Sequence, residues 1–147
     1  MNTVEHDIVF KTCQLLVSHF RNLVELDTCG FNSRIFEHML HPENRFVFAG
    51  TSISVNSETK THPEHVVPCA FMIEECKRLI RERLHTDFEI AALLQRHWKV
   101  ATITKIEQAN LDYELGLKSK MPPGWKFEDG DTYARLKLAG VTLVNQE

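Results

Sequence analysis

Trp98-Lys-Val-Ala-Thr-Ile-Thr-Lys-Ile-Glu107 is the stretch on which the fold turns. Trp98–Ile103 is rich in aromatic and β-branched residues and reads as a short strand. Thr104 and Glu107 stand three apart, the spacing of a reciprocal helix cap, so a helix opens directly behind the strand. That helix is predicted to run to Leu115, with Gly116 as its stop. Just upstream, Thr86-Asp-Phe-Glu89 has the same spacing and opens a helix to about Arg96. A strand set between two capped helices excludes an all-β chain.

Further upstream, Pro68 suits the first turn of a helix. Met72, Cys76, Leu79, Ile80 and Leu84 mark one face of it, and the charged residues of 74–83 fall mostly off that face. Before it lie Arg45–Ala49, Thr51–Val55 and His62–Val67, three β-prone pieces with a polar turn at Asn56-Ser57. Residues 4–27 read as one long helix, with Leu15, Leu16, Phe20 and Leu23 facing inward and Gly30 as its stop. Ser33 caps a short helix through Met39, which Pro42 ends. On the C-terminal side, residues 117–130 form a loop long enough to suggest function. Asp131 caps a last short helix, and Val141–Val144 is a last strand. The fold class expected is α+β: a helix-rich single domain, 1–147, with a small antiparallel sheet. A helical N-terminal part, 1–44, packs on a 45–147 α+β core.

The chain has 147 residues, a net charge of -3 and 43% hydrophobic residues, ordinary for a soluble globular protein. No 18-residue apolar run is present, so no membrane partner is expected. The acidic start, Met1-Asn-Thr-Val-Glu-His-Asp, is unlike a secretory leader and implies a cytoplasmic location. The cysteines Cys13, Cys29, Cys69 and Cys76 include no CxxC pair, and none is marked by its neighbours as a nucleophile. A zinc site from His62, His65, Cys69 and Cys76 fails on spacing. Two cysteines seven apart on one helix are ~10 Å apart along its axis, too far for one ion that needs sulfur at ~2.3 Å. Walker A, GxGxxG, GxSxG and HExxH motifs are absent.

Thr61-His-Pro-Glu-His-Val-Val-Pro68 concentrates two histidines and a carboxylate between prolines that stiffen the backbone. Glu64-His-Val-Val-Pro68 resembles the first motif of the HNH nucleases, the ββα-metal or His-Me finger group. The resemblance implies a strand pair followed by a helix, with Trp98–Ile103 as the second strand and Lys105–Leu115 as the helix. It implies metal-assisted phosphodiester hydrolysis, with His65 as general base and Glu64 and Glu107 at a divalent metal such as magnesium. The middle position of the family pattern falls near Thr104, and the last at Glu107, Gln108 or Asn110. None of these completes an HNH triad, and the family's CxxC pairs are missing.

Residues 96–126 carry six basic and three acidic side chains, a local +3 that leaves -6 elsewhere. Lys105, Lys118, Lys120 and Lys126, with Trp125 among them, are the expected nucleic-acid contacts, cations for phosphate and a ring for a base. Two functions follow as expectations. One is a small HNH-like protein that acts on nucleic acid. The other is a non-catalytic interaction protein of phage or mobile-element type, a counter-defence factor resembling the anti-CRISPR proteins, that binds a nucleoprotein complex.

Overall fold

A computed structural model describes residues 3–27 and 30–144. Helix α1 (Thr3–Leu26) is followed by two short helices, α2 (Ile35–Met39) and α3 (Glu43–Val47). Strands β1 (Phe48–Ser52) and β2 (Thr61–His65) lead to helices α4 (Cys69–Glu82) and α5 (Asp87–His97). Then come strand β3 (Val100–Thr104), helix α6 (Lys105–Ala109), a π-helical turn (Asn110–Glu114), helix α7 (Ala134–Leu138) and strand β4 (Leu143–Val144). The fold is helix-rich α+β. Among the described residues no helix is long and apolar enough to cross a membrane.

The sheet order is β2-β3-β1-β4. Both outer pairings are antiparallel, as expected, but β1 runs parallel to β3, so the sheet is mixed. Two expected strands, Arg45–Ala49 and Thr51–Val55, are replaced by one. Glu43–Val47 starts a helix behind Pro42, and the strand spans Phe48–Ser52. Short β-prone runs look alike whatever their partner, and direction comes from the long connection through β2, α4 and α5. Gly50 has φ 136°, and a Cβ there would lie 2.3 Å from the Val144 carbonyl oxygen, so only glycine lets β4 close on β1.

Central strand β3 alternates its faces. Val100 belongs to the main core, with the inner faces of α1, α4 and α5 and with Trp98 and Phe127. Ala101 and Ile103 belong to a smaller core with Leu111, Leu136 and Val141 on the other side. In α1 the buried line is Val9, Cys13, Leu16, Phe20 and Leu23, whereas Leu15 is 62% exposed, a correction to the inward face assigned from spacing. In α4 Met72, Cys76, Leu79 and Ile80 are buried as expected. Leu84 is exposed, because the helix stops at Glu82 and Arg83 turns left-handed at φ 58°.

Both capping boxes form. At α6 the Glu107 amide donates to Thr104 Oγ1 at 3.0 Å, and the Thr104 amide donates to Glu107 Oε1 at 2.9 Å. Glu107 Oε2 also accepts from Ser52 Oγ at 2.8 Å, which ties the cap to β1. Thr104→Ala removes this cap and should lower stability by roughly 0.5–2 kcal/mol. Urea unfolding reads it, and an unchanged midpoint would mean that the cap contributes nothing.

Candidate functional site

His65 ends β2, and Cys69 is the first residue of α4, so three residues of chain turn the strand into the helix. Val66 and Val67 are fully buried in this turn and anchor it. His65 Nε2 meets the carboxylate of Glu43, on α3, at 2.8 and 3.0 Å. Trp98, itself fully buried, donates Nε1–H to Glu43 Oε2 at 2.7 Å. Cys69 is close enough to His65 for each to shift the other's pKa. Three side chains from three separate parts of the chain thus form one hydrogen-bonded line: Trp98, Glu43, His65.

The charges follow from that line. Burial pulls the His65 imidazole down, but Cys69 and the Glu43 carboxylate outweigh it and carry the pKa up to about 10. His65 is therefore an imidazolium at neutral pH. Burial raises the Cys69 thiol, and His65 works against that rise.

Glu64 points its carboxylate the other way. Its Oε1 accepts from Arg135 Nη2 at 3.2 Å. Arg135 is fully buried, and it also donates to the carbonyls of Leu117 (2.8 Å), His65 (3.2 Å) and Val66 (3.4 Å). Glu64 Oε2 is buried and makes no hydrogen bond. His62 Nε2 lies 3.9 Å from it. Burial lowers the His62 pKa, with Glu64 acting against it.

A cavity of about 420 Å³ opens beside these groups, with Glu64, His65 and Cys69 along one side and Arg34, Glu37 and Lys118 among the other lining residues. Nothing in the comparisons matches. The chain resembles no family model, no curated protein and no solved structure. The site therefore has to be interpreted from its own geometry.

Of the residues expected from sequence, Glu64, His65 and Lys118 share the cavity. Glu107 has both carboxylate oxygens engaged, by Thr104 and Ser52. It sits on the helix that follows Thr104, the residue paired with Thr61, whereas His65 pairs with Val100 at the other end of β3. Among the described residues no group of three or more His, Cys, Asp or Glu side chains is arranged to hold a metal ion. Glu64 Oε2 is an oxygen donor of the kind magnesium takes, whereas the His62 nitrogen beside it is not.

Lys105, Lys120 and Lys126 are exposed and do not line the cavity. Trp125 is half-buried, edge-on to Phe71 and His97 with centroids 5.7 and 5.0 Å away, and its Nε1–H donates to the Asp131 carbonyl at 2.8 Å. The 117–130 loop is thus pinned from inside rather than held out as an arm. Sequence reasoning did not find Glu43, Arg34 or Arg135. The only signal for Cys69 was its place four residues after His65, at the start of a helix.

Proposed function

We propose that this cavity binds the phosphate backbone of a nucleic acid and that, with a divalent ion at Glu64, the protein hydrolyses a phosphodiester. The observation that carries the reading is Glu64 Oε2, a buried carboxylate oxygen with no hydrogen-bond donor. Leaving such an oxygen unpaired costs free energy, and a cation would repair it. Arg34 and Lys118 have no ion-pair partner among the described residues and supply positive charge for phosphate. The order β2, β3, α6 is the strand–strand–helix order of the HNH group, with α4 and α5 inserted between the strands. A divalent ion neutralises charge developing on the phosphate. His65, held protonated by Glu43, binds the phosphate and gives a proton to the leaving oxygen, a different role from the general base implied by the resemblance.

One observation favours a second reading, a non-catalytic binder of a nucleoprotein complex. Both side chains of the Glu64-His65 motif are held in internal pairs, with Arg135 and Glu43. A single experiment separates the readings. Labelled single- and double-stranded DNA and RNA are titrated by anisotropy at several salt concentrations and assayed for cleavage with magnesium, manganese and zinc. The first reading expects divalent-dependent cleavage that falls about 10²-fold or more in His65→Gln. It also expects the salt slope to flatten by about one unit in Lys118→Ala. Binding without cleavage in any metal supports the second reading. No binding at low salt removes the first reading and leaves the second as a contact with the protein part of such a complex.

A further inference from the structure

We propose that the outer face of α1 pairs two copies of this chain, antiparallel, about a two-fold axis at Leu15. The surface is separate from the cavity and does not depend on the phosphodiester reading. The first support is an apolar stripe that the fold leaves uncovered. Val4 is 65% exposed, Ile8 40%, Leu15 62% and Leu26 60%. At 3.6 residues per turn these four lie within about 40° of one another. They stand about 120° around the helix from the buried line of Val9, Cys13, Leu16, Phe20 and Leu23. Helices α3, α4 and α5 pack against α1, and none of them covers the stripe. A surface helix ordinarily carries one apolar stripe, facing its own core, with polar residues opposite. A second stripe on the outside marks a contact surface.

The second support is the spacing, which says what the partner is. In a two-fold contact the same patch serves both copies, so if one residue meets another, the second also meets the first. An antiparallel helix pair centred on Leu15 sets each residue against the one equally far from Leu15 on the other side. Val4 and Leu26 are both eleven residues from Leu15, and Ile8 and Asn22 are both seven. Val4 therefore meets Leu26 of the second copy, Ile8 meets Asn22, and Leu15 meets its own counterpart at the axis. The midpoint of α1 (Thr3–Leu26) lies within one residue of Leu15, so the two helices overlap along their whole length, about 36 Å. Reversal also sets the positive end of each helix dipole beside the negative end of the other. Only a second copy of this chain requires the stripe to map onto itself in this way.

The third support is area. The four side chains leave roughly 400 Å² of apolar surface on each copy, within the range of patches that mark interfaces on soluble proteins. Two stripes together bury about 800 Å², and a specific interface needs about 1,000 Å² or more in total. Lys11, Ser18, His19 and Asn22 are exposed beside the stripe and supply the remainder. Asn22 is the one polar residue on the seam. Facing Ile8 of the second copy, its amide is covered without an apolar contact in return, which weakens the pair.

The test is sedimentation equilibrium of the full chain under reducing conditions, from about 5 to about 500 µM, a span that covers weak specific interfaces. The mass should rise with concentration from the 17.0 kDa of one chain toward twice that value. Leu15→Glu sets two like charges together at the axis and should weaken association about 100-fold or more. Its melting temperature when dilute should stay unchanged, because Leu15 lies outside the core. Asn22→Leu should tighten association about fivefold or more. Orientation is read by oxidative cross-linking, with the linked peptides identified by mass spectrometry. Leu15→Cys should link to itself. Val4→Cys mixed with Leu26→Cys should link across, and neither of these two alone should link at the substituted position. A chain that stays monomeric at about 500 µM, where weak specific interfaces form, overturns the proposal. So does association that survives Leu15→Glu, or Val4→Cys that links to itself as readily as to Leu26→Cys.

Discussion

Replacing Arg135 with methionine should lower the stability of the protein by about 3–5 kcal/mol, the usual cost of breaking a buried ion pair from one side. The guanidinium is fully buried and bonds four groups on two separate segments, Glu64, His65 and Val66 on one and Leu117 on the other. Without it the Glu64 carboxylate keeps its burial and loses the donor on Oε1, while Oε2 already has none. Three backbone carbonyls lose a donor as well. Urea titration of Arg135→Met, Glu64→Leu and the double variant reads the coupling. The double variant should lose clearly less than the sum of the singles, because it leaves no lone charge inside. Strict additivity would show that the pair is not coupled.

Acidification from pH 6.5 to pH 4 should remove about 3 kcal/mol of stability through His97 alone. His97 is fully buried, with Nε2 against the Phe127 carbonyl and Nδ1 against Thr132 Oγ1, both at 2.8 Å. The carbonyl can only accept, so Nε2 carries the proton and Nδ1 accepts from the threonine hydroxyl. Burial lowers the imidazole's pKa from 6.5 to about 4, against the partial help of the Phe127 carbonyl. As pH falls below 6.5 the unfolded chain takes up a proton that the folded chain refuses until about pH 4. The stabilisation is thus complete above pH 6.5, declines through that window and is gone below it. His62 is lowered too and adds in the same direction. His65 is raised, so its contribution is full throughout the window and is lost only as pH rises toward 10. His97→Gln should flatten the dependence of the unfolding free energy on pH between 4 and 6.5. An unchanged slope would assign the acid sensitivity to other groups.

Local signals were legible in the sequence and long-range ones were not. Thr86 with Glu89, and Thr104 with Glu107, announce their helices because a cap is built from residues three apart. The buried faces of α1 and α4 follow from helical spacing, apart from Leu15 and Leu84. Leu15 stands one position beyond the edge of a face that has room for Leu16, and Leu84 lies past a left-handed stop that no glycine marks. The site lies at the other extreme. Glu43 meets His65 across 22 residues, Trp98 meets Glu43 across 55, and Arg135 meets Glu64 across 71. A buried guanidinium in Ala134-Arg-Leu136 looks like any surface arginine until the fold supplies its acceptors. Likewise Trp125 suggests a stacking platform by composition, and only its packing against Phe71 and His97 places it in a cluster of rings.

The sheet has two edges, and both are blunt. β4 is two residues long. β2 contains Pro63, which has no N–H to offer, flanked by His62 and Glu64. An incoming strand finds too short a ladder on one side and an interrupted one on the other, the usual defence against edge-to-edge aggregation. Recruitment of a partner by strand addition is therefore closed to this fold. Whatever macromolecule it meets must be met by side chains, and at high concentration the chain should stay free of β-linked aggregates.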